Sequence, residues 1–161
     1  MRTKQVNSWW GVGAWLAVIG LHFASILLNT GAMAYHDAPS VGGVLVSGVT
    51  IALWLCLMVR AGWSRRWRTV VFGAAYWFVS MVFFDVVAPL WAGDSVVPGQ
   101  EIGVILVAVF AAPTYGVGYF VLPEAFVAAV GCLIVGVLCT AAYLAGCALR
   151  WRRAKADVDR P

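Results

Sequence analysis

The positive charges of this 161-residue chain lie in three short clusters that are separated by long apolar runs. The 11 Lys and Arg residues occupy positions 2–4, 60–68 and 150–160. Five of the seven acidic residues lie in the stretches between the clusters: Asp37, Asp85, Asp94, Glu101 and Glu124. In short loops, Lys and Arg stay on the side of the membrane from which the chain was inserted. The pattern therefore predicts a polytopic membrane protein with three cytoplasmic basic clusters.

The composition supports a lipid bilayer as the solvent of this chain. Hydrophobic residues make up 63% of the sequence and charged residues only 11%, whereas soluble domains carry about 25% charged residues. The basic clusters are flanked by Trp residues, which favour the level of the lipid headgroups, so we expect no nucleic-acid partner. Abundant Ala, Gly, Val, Arg and Trp are typical of bacteria with GC-rich genomes, and the expected location is then the inner (plasma) membrane.

Four apolar runs are long enough to cross a membrane core of about 30 Å, which takes about 20 helical residues. We predict one integral membrane domain, an all-α bundle of four transmembrane helices with both termini in the cytoplasm and a disordered tail over 152–161. The predicted spans are 9–29, 42–59, 69–92 and 124–149. The first run exceeds the roughly 7–15 apolar residues of a signal peptide, so we expect it to remain as a helix.

The stretch 102–121 is apolar, but a further crossing there conflicts with the charge pattern. Five spans would place the basic cluster at 150–160 outside, against the rule for Lys and Arg. Four spans keep that cluster inside and make 102–121 a re-entrant or interfacial segment on the outer side. Within it, Pro113 and Gly116 are expected to break a helix. Five transmembrane helices remain the alternative fold.

Small residues recur every four positions on two of the predicted spans, in two ridges. The second span carries Gly48, Ala52 and Cys56, and the last span carries Ala128, Cys132, Gly136 and Thr140. Such ridges let helix backbones approach closely in lipid. We expect them to pack helices within the bundle, and the alternative is an interface in a homo-oligomer or a larger membrane complex.

Polar residues within the apolar runs predict a site in the outer half of the bundle. His22, Ser25 and Asn29 share one face of the first span, and Asp85 lies at the same predicted depth on the third span. Both His22 and Asp85 are seven residues from the outer end of their span, or about 10 Å at 1.5 Å per residue. An intramembrane carboxylate is costly and normally has a partner, so His22 and Asp85 are expected to pair. Glu124 begins the last span, where the free N–H groups of a helix N-terminus favour a carboxylate, and it is expected to join the site if the segment 102–121 is re-entrant.

No catalytic or metal-binding motif accompanies this cluster. The four Cys residues lie in apolar runs without a CxxC pair, and His22 is the one histidine inside a predicted span, so we expect no metal and no cofactor. The first functional hypothesis is a transport component or an accessory subunit of a membrane assembly. One alternative is a membrane enzyme acting on a lipid or isoprenoid, with Asp85 or Glu124 as acid or base. The other is a purely structural assembly partner.

The charge pattern predicts the side of the membrane on which each connection lies. Single Cys residues placed at Ser64, Asp94 and Asp157, in a chain without its native cysteines, should differ in their reaction with an impermeant maleimide. In intact cells, only the Cys at position 94 should be labelled. Labelling at position 157 would instead support five spans and contradict the re-entrant segment.

Overall fold

The computed structural model describes residues 2–35, 37–82, 109, 111–122 and 129–158. These residues contain five helices and no strand. The helices are numbered along the chain as α1 (Arg2–Tyr35), α2 (Val41–Trp63), α3 (Trp67–Val82), α4 (111–118) and α5 (Ala129–Val158).

Three of the described helices are long and apolar enough to cross a membrane. These stretches are Val12–Met33 in α1, Val41–Trp63 in α2 and Val130–Asp157 in α5. Their length and composition are compatible with the multi-pass membrane protein that the sequence predicts. Helix α3 is described over 16 residues, Trp67–Val82, and the rest of the predicted span 69–92 lies outside the described residues. The predicted count of four spans plus a re-entrant segment is therefore not decided by these helices.

Two helices extend beyond their predicted ends. Helix α1 continues past residue 29 to Tyr35. Helix α5 continues to Val158, so the prediction that the tail is disordered from residue 152 is wrong over 152–158. The sequence there contains Ala, Arg and Lys without Gly or Pro, which favours helix, and basic side chains near a helix C-terminus are favoured by the helix dipole.

The connections on either side of α2 are closed by local hydrogen bonds. At its start, the Ser40 Oγ accepts a hydrogen bond of 3.0 Å from the Gly43 N–H, which satisfies one of the free donors of the first turn. At its end, the Arg66 N–H donates to the Ala61 carbonyl. Arg65, between them in the turn, has a positive φ of 53°, a conformation that favours glycine.

Helix α4 is the helix described within the segment 102–121. Residues 111–118 are helical, so the expected break of the helix between Pro113 and Gly116 is wrong. Its backbone is covered by protein, because all residues from 111 to 116 are buried. The helix ends at Gly118, whose carbonyl accepts from the Leu122 N–H at 2.8 Å. Residues 102–108 and 110, which include the rest of the predicted re-entrant segment, lie outside the described residues.

Aromatic side chains fill the centre of the bundle around Trp54 of α2. The Trp54 ring is stacked on Tyr76 of α3 at 5.8 Å, and meets Trp15 of α1 edge-on at 5.6 Å. Trp77 of α3 is fully buried, at 5.9 Å from Trp54. A Cβ on Gly136 of α5 would lie 3.2 Å from the Cβ of Trp77. Trp54 and Trp77 thus connect all four long helices.

The tightest described approach between two helices is the crossing of α2 and α5 near their basic ends. A Cβ on Gly62 of α2 would collide with the Tyr143 carbonyl oxygen, and a Cβ on Gly146 of α5 would collide with the Val59 carbonyl oxygen. The Cys147 thiol donates to the Gly62 carbonyl at 3.4 Å. Glycine at both positions allows the backbones themselves to touch, as in close helix pairs in membranes.

The predicted ridges coincide only in part with these contacts. On α5, Cys132 is buried and Gly136 packs on Trp77, but Thr140 is exposed. On α2, Ala52 and Cys56 are exposed, so the close packing of α2 is not along that ridge. A Cβ on Gly48 would lie 3.9 Å from the Val117 side chain, which is an ordinary contact. Helix α2 instead buries a face that begins at Gly43 and carries its bulkiest side chains, Trp54 and Met58, because those side chains need contacts on several neighbours. Ala128 lies outside the described residues.

The crossing of α2 and α5 predicts a large cost for a single methyl group. Gly146→Ala should destabilise the bundle by about 1–3 kcal/mol, because the backbones must move apart. The matched control is Gly20→Ala, since nothing lies within 4 Å of a Cβ at Gly20. That control should be neutral or more stable by up to about 1 kcal/mol, from helix propensity. Thermal unfolding in detergent measures both, and equal stability of the two variants would contradict the crossing.

Candidate functional site

Two stripes of small and polar residues face each other between α1 and α2. We call them the polar seam: His22, Ser25 and Asn29 on α1, with Gly43, Ser47 and Thr50 on α2. Their spacing along each helix, three or four residues, places each stripe on one helical face. The chain directions are opposite, so Asn29 lies by Gly43 and Ser47, and Ser25 lies by Thr50.

Asn29 joins three helices at the end of the seam that is farther from the basic clusters, which we call its outer end. Its side chain is fully buried. The Nδ2 group donates to the Ser47 Oγ of α2 at 2.9 Å and to the Ala112 carbonyl of α4 at 2.9 Å. The Oδ1 atom occupies the space that a Cβ on Gly43 would fill. Position 43 therefore needs glycine for Asn29 to enter the contact.

The hydroxyl pair below Asn29 continues the seam toward the middle of the bundle. The Thr50 hydroxyl donates to the Val46 carbonyl of its own helix at 2.7 Å. The Ser25 Oγ lies 3.4 Å from the Thr50 Oγ1. Ser25, Ser47 and Thr50 are all fully buried. This part of the seam consists of satisfied hydroxyl groups between two helices, which is a structural arrangement.

His22 lies at the inner end of the seam and is half-buried. Its Nε2 atom is 2.7 Å from the Val109 carbonyl oxygen and 2.9 Å from the Tyr76 hydroxyl of α3. A carbonyl can only accept a hydrogen bond, whereas a hydroxyl can donate or accept. The Nε2 atom can therefore donate to Val109 when it carries a proton, and accept from Tyr76 when it does not.

Pro113 explains why the Val109 carbonyl is available to His22. In an α-helix this carbonyl would accept from the N–H of residue 113, four positions later. Proline has no N–H, so the carbonyl lacks that partner. Such a group costs several kcal/mol within a bilayer, on the order of a lost hydrogen bond. The imidazole of His22 supplies the missing donor.

Helix α4 also satisfies the end of α1. The Tyr115 hydroxyl lies 3.2 Å from the Ala32 carbonyl oxygen and 3.0 Å from the Asp37 carbonyl oxygen. Ala32 is in the last turn of α1, where carbonyls have no donor within the helix. The Ala32 carbonyl also accepts from the Asp37 N–H at 2.8 Å, so the end of α1 has a partner in its own chain segment as well as in Tyr115.

The longer α1 also changes the depth of the site. Within the apolar stretch Val12–Met33, His22 is 11 residues from Met33, which is about 16 Å at 1.5 Å per residue. His22 is therefore near the middle of the stretch, rather than about 10 Å below its outer end as the shorter predicted span implied. Asn29 lies nearer the outer end.

The structure brings together three of the five predicted site residues, His22, Ser25 and Asn29. Asp85 and Glu124, with the predicted pairing of His22 and Asp85, lie outside the described residues. The sequence analysis missed Tyr76, Ser47 and Thr50. The spacing of Gly43, Ser47 and Thr50 on α2 repeats that of the α1 stripe, and this repetition was the signal that could have identified them. Within the described residues, no group of three His, Cys, Asp or Glu side chains could hold a metal ion.

Comparisons with protein-family models, with curated proteins and with solved structures found no match for this chain.

The hydrogen bonds of Asn29 predict that an apolar residue of similar size cannot replace it. Asn29→Leu should destabilise the bundle by about 1–3 kcal/mol, because Ser47 and the Ala112 carbonyl lose a buried donor. The control is Thr30→Val, since the Thr30 hydroxyl bonds only to the Ile26 carbonyl of its own helix; it should change stability by less than about 0.5 kcal/mol. In thermal unfolding, the double variant Asn29→Leu, Ser47→Ala should be less damaging than the sum of the two single changes. Additive effects would contradict the contact.

Proposed function

We propose that this chain is a small non-enzymatic component of a membrane transport assembly and that His22 is its working group. The observation that supports this proposal is the position of the His22 Nε2 atom, between the Tyr76 hydroxyl and the Val109 carbonyl near the middle of a candidate span. An ionisable side chain at membrane depth marks a pathway or a relay more often than a packing position.

Two partners of different chemistry give His22 two hydrogen-bond arrangements. In one, the proton is on Nε2 and points to the Val109 carbonyl. In the other, the proton is on Nδ1 and Nε2 accepts from the Tyr76 hydroxyl. To pass from the first arrangement to the second, Nδ1 binds a proton from water or another proton carrier, which gives the imidazolium, and Nε2 then releases its proton to a second such carrier. One proton is taken up and one is released, and the ring does not have to move far.

The rest of the polar seam holds this pair in place. Ser25, Ser47 and Thr50 are fully buried, and Asn29 fixes α4 against α1 and α2. A site in which the surrounding side chains are locked by packing and hydrogen bonds keeps its reacting groups in register. The imidazole of His22 is half-buried, whereas the other polar side chains of the seam are fully buried. His22 is therefore the side chain of the seam that can exchange protons.

A second candidate function is favoured by a groove on the side of the bundle. Between α3 and α5, a groove of about 410 Å³ is lined by Trp77, Phe78, Cys132 and Gly136, with Thr140 along one wall. A lateral opening beside Trp77 is what an enzyme acting on a lipid or isoprenoid would need. The carboxylates proposed for that chemistry, Asp85 and Glu124, lie outside the described residues. The same groove could receive a helix of an assembly partner, which is the third candidate.

Proton movement in liposomes tests the transport proposal. The purified chain should be reconstituted with a potassium gradient, and valinomycin added to impose a membrane potential. An internal pH-sensitive dye then reports proton uptake. We expect uptake above that of empty liposomes. His22→Gln should reduce it to the empty-liposome level, because Gln can donate to Val109 but cannot titrate. Tyr76→Phe should reduce the rate without abolishing it.

The matched control is His36→Gln, which changes the other histidine of the chain. This variant should take up protons at the same rate as the unchanged protein. Melting temperatures of all variants separate a loss of transport from a loss of folding. No uptake by the unchanged chain, or full uptake by a folded His22→Gln variant, would contradict the proposal.

A further inference from the structure

We propose a second site, for the phosphate-bearing headgroup of an anionic phospholipid, at the basic end of the bundle. A cavity of about 430 Å³ opens there between Trp15 of α1 and the turn that joins α2 to α3. Arg60 and Arg66 line it, together with Trp15 and Trp63 and the side chains of Ser64 and Thr69. It is at the opposite end of the bundle from Asn29 and does not depend on the proposed role of His22.

The arginines of this cavity differ from those of the neighbouring basic cluster. On α5, Arg150 donates to the Trp63 carbonyl at 3.0 Å, and the Arg153 guanidinium lies 5.8 Å from the centre of the Trp63 ring. Arg60 and Arg66 make no salt bridge or side-chain hydrogen bond with any other described residue. Two guanidinium groups at one cavity, without a counter-charge among the described residues, favour a dianionic or monoanionic oxygen ligand.

The insertion rule explains on which side of the membrane these arginines lie, but not that they surround a cavity. Their convergence comes from the turn between α2 and α3. That turn is closed by the bonds from Arg66 and Arg65 to the last carbonyls of α2. It places Arg65 in the left-handed region, at a position where glycine would be the less strained residue.

An adjoining cleft gives the site the shape of a lipid rather than of a free ion. A second cavity of about 350 Å³ is lined by Trp15, Arg68, Thr69 and Phe72. It shares Trp15 and Thr69 with the first. Trp15 and Phe72 meet edge-on at 6.0 Å between α1 and α3, so the cleft has an aromatic wall. A headgroup between Arg60 and Arg66 could extend its glycerol and the start of an acyl chain along that wall.

The level of the site in the membrane also suits a headgroup. Arg60 and Trp63 are at the end of the apolar stretch Val41–Trp63, where indole rings and phosphate groups share the interface. Basic pockets between transmembrane helices at this level bind anionic headgroups by charge and hydrogen bonding.

Binding of defined lipids to the full-length chain tests the site. Native mass spectrometry of the chain in detergent measures an apparent affinity for phosphatidylglycerol and for phosphatidylcholine, and unfolding temperatures are measured in parallel. We expect tighter binding of phosphatidylglycerol. The double variant Arg60→Gln, Arg66→Gln should weaken it by about 25-fold, or about fivefold for each basic residue removed. Arg60→Lys with Arg66→Lys should recover most of the affinity.

The matched control is Arg152→Gln with Lys155→Gln, which removes the same charge from exposed positions of α5 that line neither cavity. That control should keep nearly the full affinity. An equal loss in both double variants would overturn the site, because diffuse attraction to the net charge would then account for binding. Stabilisation by inorganic phosphate alone, equal to that by phosphatidylglycerol, would overturn the assignment to a lipid.

Discussion

Within a bilayer, the backbone of a short helix has to find its hydrogen-bond partners in the protein itself. Helix α4 meets this requirement through α1. Asn29 donates to the Ala112 carbonyl, and His22 reaches the Val109 carbonyl that Pro113 leaves without a donor. In return, Tyr115 of α4 bonds to the Ala32 carbonyl at the end of α1. Each helix thus satisfies backbone groups of the other, and the outer end of the bundle depends on this exchange.

The two ends of the bundle are held by different kinds of contact. At the basic end, Gly62 and Gly146 let the backbones of α2 and α5 touch, and the attraction there is close packing. At the other end, α1, α2 and α4 are joined by side-chain hydrogen bonds, in addition to the close approach of α4 to α2 at Gly116 and Gly43. Trp54 lies between the two regions and contacts Trp15, Tyr76 and Trp77. The hydrogen-bonded end can specify which helices meet, because a buried polar group accepts few alternatives.

The sequence alone predicted the membrane class, the all-helical fold and the polar stripe on α1. Those features follow from composition and from helical periodicity, which depend on many residues at once. It predicted the helix ends less well, since the last turn of α1 contacts Tyr115, which comes 83 residues after Ala32 in the chain. It also did not predict that His22 contacts the Val109 carbonyl and Asn29 the Ala112 carbonyl, because backbone carbonyls carry no side-chain signal. Pro113 was predicted to break a helix. In the structure its helix continues, and Pro113 instead leaves the Val109 carbonyl without a donor from its own helix.

The ridges of small residues were the least reliable guide. On α2, the small residues Ala52 and Cys56 are exposed, while the bulky side chains Trp54 and Met58 are buried. A large aromatic residue gains more from contacts on all sides than a small residue gains from close approach, so it takes the central position. The glycines that do bring backbones together, Gly62 and Gly146, are near the ends of their spans, where no repeat of four marked both helices.

The register of the polar seam limits how α1 can move. A shift of α1 along α2 by one turn, about 5.4 Å, would carry Ser25 from Thr50 to the indole of Trp54 and remove Asn29 from Ala112. Sliding therefore breaks several buried hydrogen bonds at once, whereas a small tilt keeps them. The polar seam therefore permits a tilt of α1 against α2 and opposes sliding. Such a tilt moves the residues of α1 on the basic side of the seam, among them Trp15, which lines the cavity next to Arg60 and Arg66.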